Sequence, residues 1–319
     1  MQRLERDRKE WYREIFASTG LRKSHLIFPV FVSERPDKID SMPGMSVTPV
    51  DKIERHVQSV LDAGISSIIV FGIPKNRNHQ GSQAFYDNGV VQQATRAIKS
   101  GFGSSVEVVT DVCVCQYNLT GHCGIIADRS SVVDNDATLE VLSKIAVSHA
   151  NAGADVVAPS SMMDGQVHAI RSALAARGLK ASILSYSAKH SSSLYTPFRS
   201  AAFVKAAKSQ LDKSPYQVSY SNPRQVIREI ETDINEGADM VMIKPALAYL
   251  DLVRMIKDKC RVPVAVQNVS GEYAMIKAAA MKGMIDEEDW KVSSIASIRR
   301  AGADRIISYF ALDVATNYL

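Results

Sequence analysis

Apolar residues in this chain fall in short continuous runs rather than in alternation. The runs are HLIFPVFV (25–32), SSIIVFGI (66–73), VEVVTDVCV (106–114) and DVVAPS (155–160), followed by ASILSYS (181–187), MVMIKP (240–245), VPVAVQNV (262–269) and RIISYF (305–310). Such runs are expected of parallel strands buried on both faces. Stretches of helical period lie between them, for example DKIERHVQSVLDAG, ATLEVLSKIAVSHANAGA, QVIREIETDINEGA and EDWKVSSIASIRRAGA. Several of these end in Gly-Ala just before the next run, a helix C-cap followed by an αβ turn. Eight βα repeats in 319 residues favour an α/β fold of the (β/α)8 TIM-barrel type over an open doubly wound sheet. The GFG at 101–103 precedes a strand instead of following one, so a dinucleotide fold lacks support. Residues 1–24 form a charged N-terminal arm, with Trp11, Tyr12, Ile15 and Phe16 at roughly helical spacing. Too apolar-poor to fold alone, the arm is expected to pack on the body (25–319) or on a neighbouring subunit.

Composition narrows the function classes. A net charge of +4, with both signs interspersed, gives no footprint for nucleic acid. No apolar run reaches the length of a membrane span. The N-terminal segment carries Glu5, Asp7, Glu10 and Glu14, which argues against a secretory or transit peptide and for the cytosol. A reducing compartment makes disulfides among Cys113, Cys115, Cys123 and Cys260 unlikely as a framework.

In a (β/α)8 barrel the chemistry sits where strands end. Here strand three runs into Asp111, Cys113 and Cys115, strand four into Ser160, Ser161 and Asp164, strand five into Lys189, strand six into Lys244, strand seven into Ser270, and strand eight carries Tyr309. A buried lysine favours its neutral amine, and a second lysine nearby favours it further, so both amines are expected to be weakly basic and nucleophilic. Two ordinary strand-end lysines snorkelling to water are the bland alternative. Residues 113 and 115 of a strand project from one face, and Cys123 follows closely. Three thiolates read as a metal site that leaves a coordination position open, against three small buried hydrophobes. His122 reads either as a fourth ligand or as a residue lining the site. Residues 74–88 and 188–217 look like loops or lids. Arg199, Lys205, Lys208 and Lys213 in the second suggest a carboxylate-bearing substrate, or simply a solvated loop. Glu229 and Asp233, four apart, share a helix face.

The motifs DVCVCQYNLTGHCG, VAPSSMMDG, SYSAK, YTPFR, MIKPALAYLD, VSGEYAMIKAA and AGADRIISYFALD, with SMPGM at 41–45 and FGIP at 71–74, together resemble the porphobilinogen synthase (5-aminolaevulinate dehydratase) family over nearly the whole chain. The resemblance implies a (β/α)8 barrel whose N-terminal arm wraps a partner, usually in a homo-octamer. It implies condensation of two 5-aminolaevulinate molecules to porphobilinogen, with loss of two waters, in tetrapyrrole (haem) biosynthesis. By the same resemblance Lys244 would form a Schiff base with the substrate that becomes the propionate side, and Lys189 would hold the second, acetate-side substrate. Cys113, Cys115 and Cys123 match the zinc-using version of the metal motif, and Asp111 would assist proton transfer or orient an amine. Ser270 and Tyr309 match positions that bind the first substrate's carboxylate. Tyr195, Phe198 and Arg199 match the lid, with Arg199 as a carboxylate clamp, and Gln217 matches another lid ligand. Glu229 and Asp233 match a pair that in part of the family holds allosteric magnesium through water; a solvated helix face is the alternative.

Departures from the family pattern cluster at strand ends and lid. Ser161 and Gln166 stand in the usual DMMDGR, Thr196 replaces the glycine of YGPFR, Lys213 replaces a second clamp arginine, and Gln267 replaces a tyrosine. Lysine keeps the charge at 213 but lacks the bidentate fork. The rival readings are another lysine-dependent barrel such as a class I aldolase, which a three-thiolate site fits poorly, and an inactive zinc-binding homologue, against which the retained lysines and cysteines weigh.

Overall fold

Each of the eight apolar runs becomes one strand of a closed barrel. The computed structural model describes residues 7–127, 132–202 and 212–319. Its barrel strands are β1 (Leu26–Ser33), β2 (Ser67–Gly72), β3 (Glu107–Val112), β4 (Val156–Pro159), β5 (Ser182–Lys189), β6 (Met240–Lys244), β7 (Val264–Asn268) and β8 (Arg305–Ser308). All pair in parallel with their chain neighbours, and Leu26↔Ile306 and Ile27↔Ile307 close the ring between β1 and β8. β2 and β7 are buried along their entire lengths, as the continuous runs require. Some accessory pairings escaped the hydrophobic pattern. Ser46–Pro49 adds alongside the end of β1, and Ile125–Ile126 pairs antiparallel with Val133–Asp134.

The Gly-Ala endings have a specific structural use. Gly153, Gly237 and Gly302 all lie at positive φ, where a side chain would be strained, and turn the chain into the next strand. Two residues later come Asp155, Asp239 and Asp304. The amide of each donates to a carbonyl of the preceding strand, on Val108, Ile183 and Val264 respectively (3.0, 3.0 and 2.8 Å). The carboxylate of each accepts the amide hydrogen of that same residue (2.7, 2.7 and 2.9 Å). A cation from a barrel helix completes each clamp: Lys99, Arg171 and Lys257. The repeat thereby pins β3 to β4, β5 to β6 and β7 to β8 at the end remote from the lysines. Asp304→Ala leaves the buried Val264 amide without its partner and is expected to cost about 1–3 kcal/mol. A lowered urea midpoint with unchanged substrate affinity would bear this out, and an unmoved midpoint would contradict it.

The N-terminal helix α1 (Arg8–Thr19) lies against helix α10 (Glu287–Ala301), with Arg8 paired to Asp286 at 2.8 Å. Tyr12 and Phe16, one turn apart, bury their rings against Tyr318 at centroid distances of 5.5 and 6.3 Å. Trp11 and Ile15 do not share that burial; Trp11 remains 46% exposed. Among the described residues no helix is long and apolar enough to cross a membrane.

Candidate active site

Lys189 and Lys244 are the last residues of β5 and β6, and they are paired with each other in the strand register. Neighbouring strands in register put both side chains into the mouth of the barrel on one rung, each only 7% exposed. The surroundings of the two amines differ. Lys244 Nζ sits 5.1 Å from the ring centroids of Tyr186 and Tyr195 and 5.7 Å from that of Phe198. Burial in this aromatic box, with the charge of Lys189 second, pushes the Lys244 ammonium down to about 7. Lys189 behaves otherwise than the pattern of two weakly basic amines predicts. Burial again pushes down, but Cys123, Cys113, Cys115 and Asp111 outweigh it and hold Lys189 above the usual lysine value. Its Nζ donates to the Ser160 carbonyl and lies 3.9 Å from Cys123 Sγ. The rung therefore carries one amine that is readily neutral and one held as a cation.

Asp111, inside β3 and buried, faces both lysines and accepts a hydrogen bond from Gln116 Nε2 at 3.1 Å. Burial raises its carboxyl above the usual range, and the Gln116 bond and the two lysines oppose that.

The cysteines meet through a turn rather than through strand alternation. β3 ends at Val112, so Cys113 and Cys115 lie beyond it. The amides of Tyr117 and Asn118 fold back on the Val114 carbonyl, both at 2.9 Å. Asn118 then organises the return: its Oδ1 accepts from the Gly121 amide at 2.6 Å, and its Nδ2 donates to the His122 carbonyl at 2.9 Å. The three Sγ atoms lie within 4.8 Å of one another, all are buried, and none is in a disulfide. Burial pushes the Cys113 thiol up to about 11. Cys123 is driven well below the ordinary thiol value by hydrogen bonds from Cys113 and Cys115 and by the charges of Lys189 and Lys213. Three soft donors converging on one point, with no fourth ligand among the described residues of the group, fit a metal ion that keeps one position open. His122 is not part of that group, and its Nδ1 is engaged with the Tyr216 hydroxyl at 3.1 Å.

The segment after β5 closes over the lysines. Within the stretch expected to be loop, helix α6 (Thr196–Ala201) forms, with proline in its first turn. The Tyr195 hydroxyl reaches the carbonyls of His190 (2.7 Å) and Lys244 (3.2 Å). The Phe198 amide donates to Ser270 Oγ at 3.0 Å, and Ser270 Oγ donates to the Leu194 carbonyl at 3.2 Å. A side chain on Gly271 would collide with the Leu194 backbone, so only glycine admits this docking. The resulting cavity, of about 30 Å³, is lined by the two lysines, Asp111, Cys115, Cys123, Arg199, Lys213 and Gln217 among others. That volume is about one water molecule's share of liquid water, so substrate entry requires the lid to lift. Neither polar atom of the buried Gln217 side chain has a partner among the described residues.

The expected site residues do not all meet. Arg199 lines the cavity and stacks its guanidinium 5.8 Å from the Tyr195 ring. Ser270 and Tyr309 do not line it. The Ser270 hydroxyl is occupied by the lid backbone, while Tyr309 stacks on Phe31 at 6.2 Å with its hydroxyl beside the Gln267 side chain. Lys213 turns to Cys123 Sγ at 3.2 Å, and Lys205 and Lys208 lie outside the described residues. Ser161 Oγ is buried without a partner, Gln166 Oε1 accepts from the Met163 amide at 3.4 Å, and Thr196 bonds the Ser193 carbonyl at 2.7 Å. Glu229 and Asp233 sit apart from the cavity on helix α7 (Pro223–Asn235), which packs on β5. Asp233 accepts from Ser185 Oγ at 2.7 Å, and burial raises its carboxyl to about 6.

Three contributors gave no clear sequence signal. Tyr186 forms the floor under both amines, and its position three residues before Lys189 was the only hint. Gln116 anchors Asp111. Glu272 accepts from the amides of Val269 (2.7 Å) and Leu247 (2.6 Å) and from Asn268 Nδ2 (2.9 Å), tying the loop after Lys244 to the end of β7.

A closed mouth that buries a readily neutral amine beside an acid and a thiol trio places the protein among (β/α)8-barrel enzymes. The sequence profile described as Delta-aminolevulinic acid dehydratase matches residues 1–317, and the chain belongs to that family. It is 46% identical over 318 residues to the delta-aminolevulinic acid dehydratase of Archaeoglobus fulgidus, covering 98% of this chain and 97% of that one. The Staphylococcus epidermidis enzyme of the same name is 44% identical over 306 residues, covering 95% and 94%. Among solved structures, the Toxoplasma gondii delta-aminolevulinic acid dehydratase (porphobilinogen synthase), in complex with its reaction product porphobilinogen, superposes with a TM-score of 0.90 at 37% identity, covering 98% and 91%.

Proposed function

We infer that this protein condenses two molecules of 5-aminolaevulinate to porphobilinogen with loss of two waters. The observation that carries the reading is the shared rung of Lys189 and Lys244, buried at the mouth with opposite shifts in basicity. The neutral Lys244 amine attacks the ketone of the first substrate, and loss of water leaves an imine. Lys189 takes the second ketone in the same way, so the two imines account for the two waters, and both lysines leave as free amines as the new C–C and C–N bonds of the pyrrole form. Lys189 must first lose its proton, and Asp111, which faces both lysines, is placed to move protons between them. Arg199 supplies a guanidinium for a substrate carboxylate, and the unpartnered amide of Gln217 supplies a hydrogen-bonding group beside it. Ser270 and Tyr309 would meet the first substrate's carboxylate once the lid lifts from Ser270 Oγ.

Cys113, Cys115 and Cys123 would hold zinc, which supplies a Lewis acid for the second substrate when bound. Half-buried carboxylates of Glu229 and Asp233 would hold magnesium through retained waters, outside the cavity. Assembly as a homo-oligomer, an octamer on the family resemblance, is supported by exposed apolar side chains: Trp11 on α1, Trp290 on α10, Met281 at the end of helix α9 (Ser270–Met281) and Met284 in the connection from α9 to α10. The test incubates purified protein with 5-aminolaevulinate and zinc and measures the pyrrole product. Product is expected with zinc and is expected to vanish on chelation and return on zinc addition. No product across pH and metal conditions overturns the reading, and activity that survives chelation removes zinc from it.

A further inference from the structure

Tyr216 belongs to neither the lysine pair nor the thiol trio, yet its side chain joins the cysteine turn to the lid. Its ring packs against the buried cysteines. Its hydroxyl accepts the amide hydrogen of Cys123 at 3.2 Å and shares a hydrogen bond with His122 Nδ1 at 3.1 Å. The chain around Tyr216 is itself lid. Lys213 Nζ reaches Cys123 Sγ at 3.2 Å, Gln217 lines the cavity, and the Val218 amide donates to the Lys189 carbonyl at 3.0 Å. Residues 212–218 therefore grip both the backbone and the sulfur of Cys123 at one end and the backbone of a catalytic lysine at the other.

We propose that Tyr216 is a positioning residue that couples occupancy of the three-thiol site to closure of the 212–218 segment. The inference rests on the reading of the cysteine cluster as a zinc site. Anchoring the Cys123 amide and the neighbouring imidazole fixes the direction of Cys123 Sγ, the role that outer contacts of a metal ligand usually play. Coupling of this kind is reciprocal: whatever zinc does to the segment, closure of the segment does to zinc affinity. Lys213 gives the coupling its second contact. Its ammonium lies 3.2 Å from Cys123 Sγ and lines the same cavity as the two lysines, so the segment touches the sulfur of that residue as well as its backbone.

The test uses the full-length protein stripped of metal, with zinc alone as the probe and no substrate. Zinc affinity is read by competition with a chromophoric chelator, and closure by amide hydrogen exchange of residues 212–218. For the unmodified protein, zinc is expected to change exchange in that segment. Tyr216→Phe keeps the ring and removes the hydroxyl. It is expected to weaken zinc binding about 10- to 100-fold and to abolish the zinc response of the segment, with the thermal midpoint unchanged. Normal zinc affinity in Y216F overturns the proposal, as does weakened affinity with the zinc response intact. If Y216F does not fold, the unmodified protein still decides: a segment indifferent to zinc overturns the coupling. Failure of the unmodified protein to bind zinc overturns the zinc reading itself, a different result from binding without coupling.

Discussion

Lys244→Ala is expected to lower the rate of porphobilinogen formation by at least about 10⁴-fold, the scale lost when a covalent nucleophile is removed. No other described amine occupies the aromatic box of Tyr186, Tyr195 and Phe198, so no neighbour can substitute. Borohydride added to unmodified protein and substrate should leave a reduced adduct on Lys244, seen by peptide mass analysis. The same site predicts a pH profile. Because burial and Lys189 hold Lys244 near 7, its neutral fraction is about half at that pH, and below it falls about tenfold per unit. Loss of the charged form is what activates the amine, so kcat/KM should climb from acid pH and level above neutrality. An unmodified Lys244 after trapping, or a variant retaining more than a few per cent of the rate, would contradict the assignment.

Lys189→Ala should also stop product formation, by roughly 10³-fold or more, since the second ketone loses its covalent anchor and must be met in free solution. The two variants differ in what survives. Lys244 remains free to take one substrate in K189A, so borohydride should still trap a single adduct there. Removing the Lys189 cation also relieves Lys244 of a like charge, so the acid limb of adduct formation should shift to higher pH. Loss of the Lys244 adduct in K189A would mean that the pair acts as one unit rather than as two sequential anchors.

The barrel was legible because its signal is local. Strands buried on both faces must be apolar throughout, and each of the eight runs became a barrel strand. Ser46–Pro49 and the hairpin at Ile125–Ile126 and Val133–Asp134 were not legible, since their pairing depends on where the rest of the chain puts them. The lysines, Asp111 and the cysteine trio could be named because barrel topology gathers strand ends. Their electrostatics could not be read in the same way. Lys189 is held charged by Cys123, Cys113, Cys115 and Asp111, and that balance depends on distances across the mouth. The cysteine trio was found for a partly mistaken reason: strand alternation suggested a common face, whereas a turn beyond β3 assembles it. Tyr216 carried no signal at all, being a single aromatic in a polar stretch whose hydroxyl contacts are long-range.

The pairing of Lys189 with Lys244 in one register has a consequence for molecular recognition. The anchor points of the two side chains are set by adjacent hydrogen-bonded strands, about 4.8 Å apart, and not by flexible loops. The sheet thus acts as a fixed ruler between the two ketone carbons that the lysines hold. A keto acid longer or shorter than the natural one would meet the same gap at its ketone and differ only at its far end. Discrimination by chain length then falls to Arg199, Lys213 and the other groups of the lid.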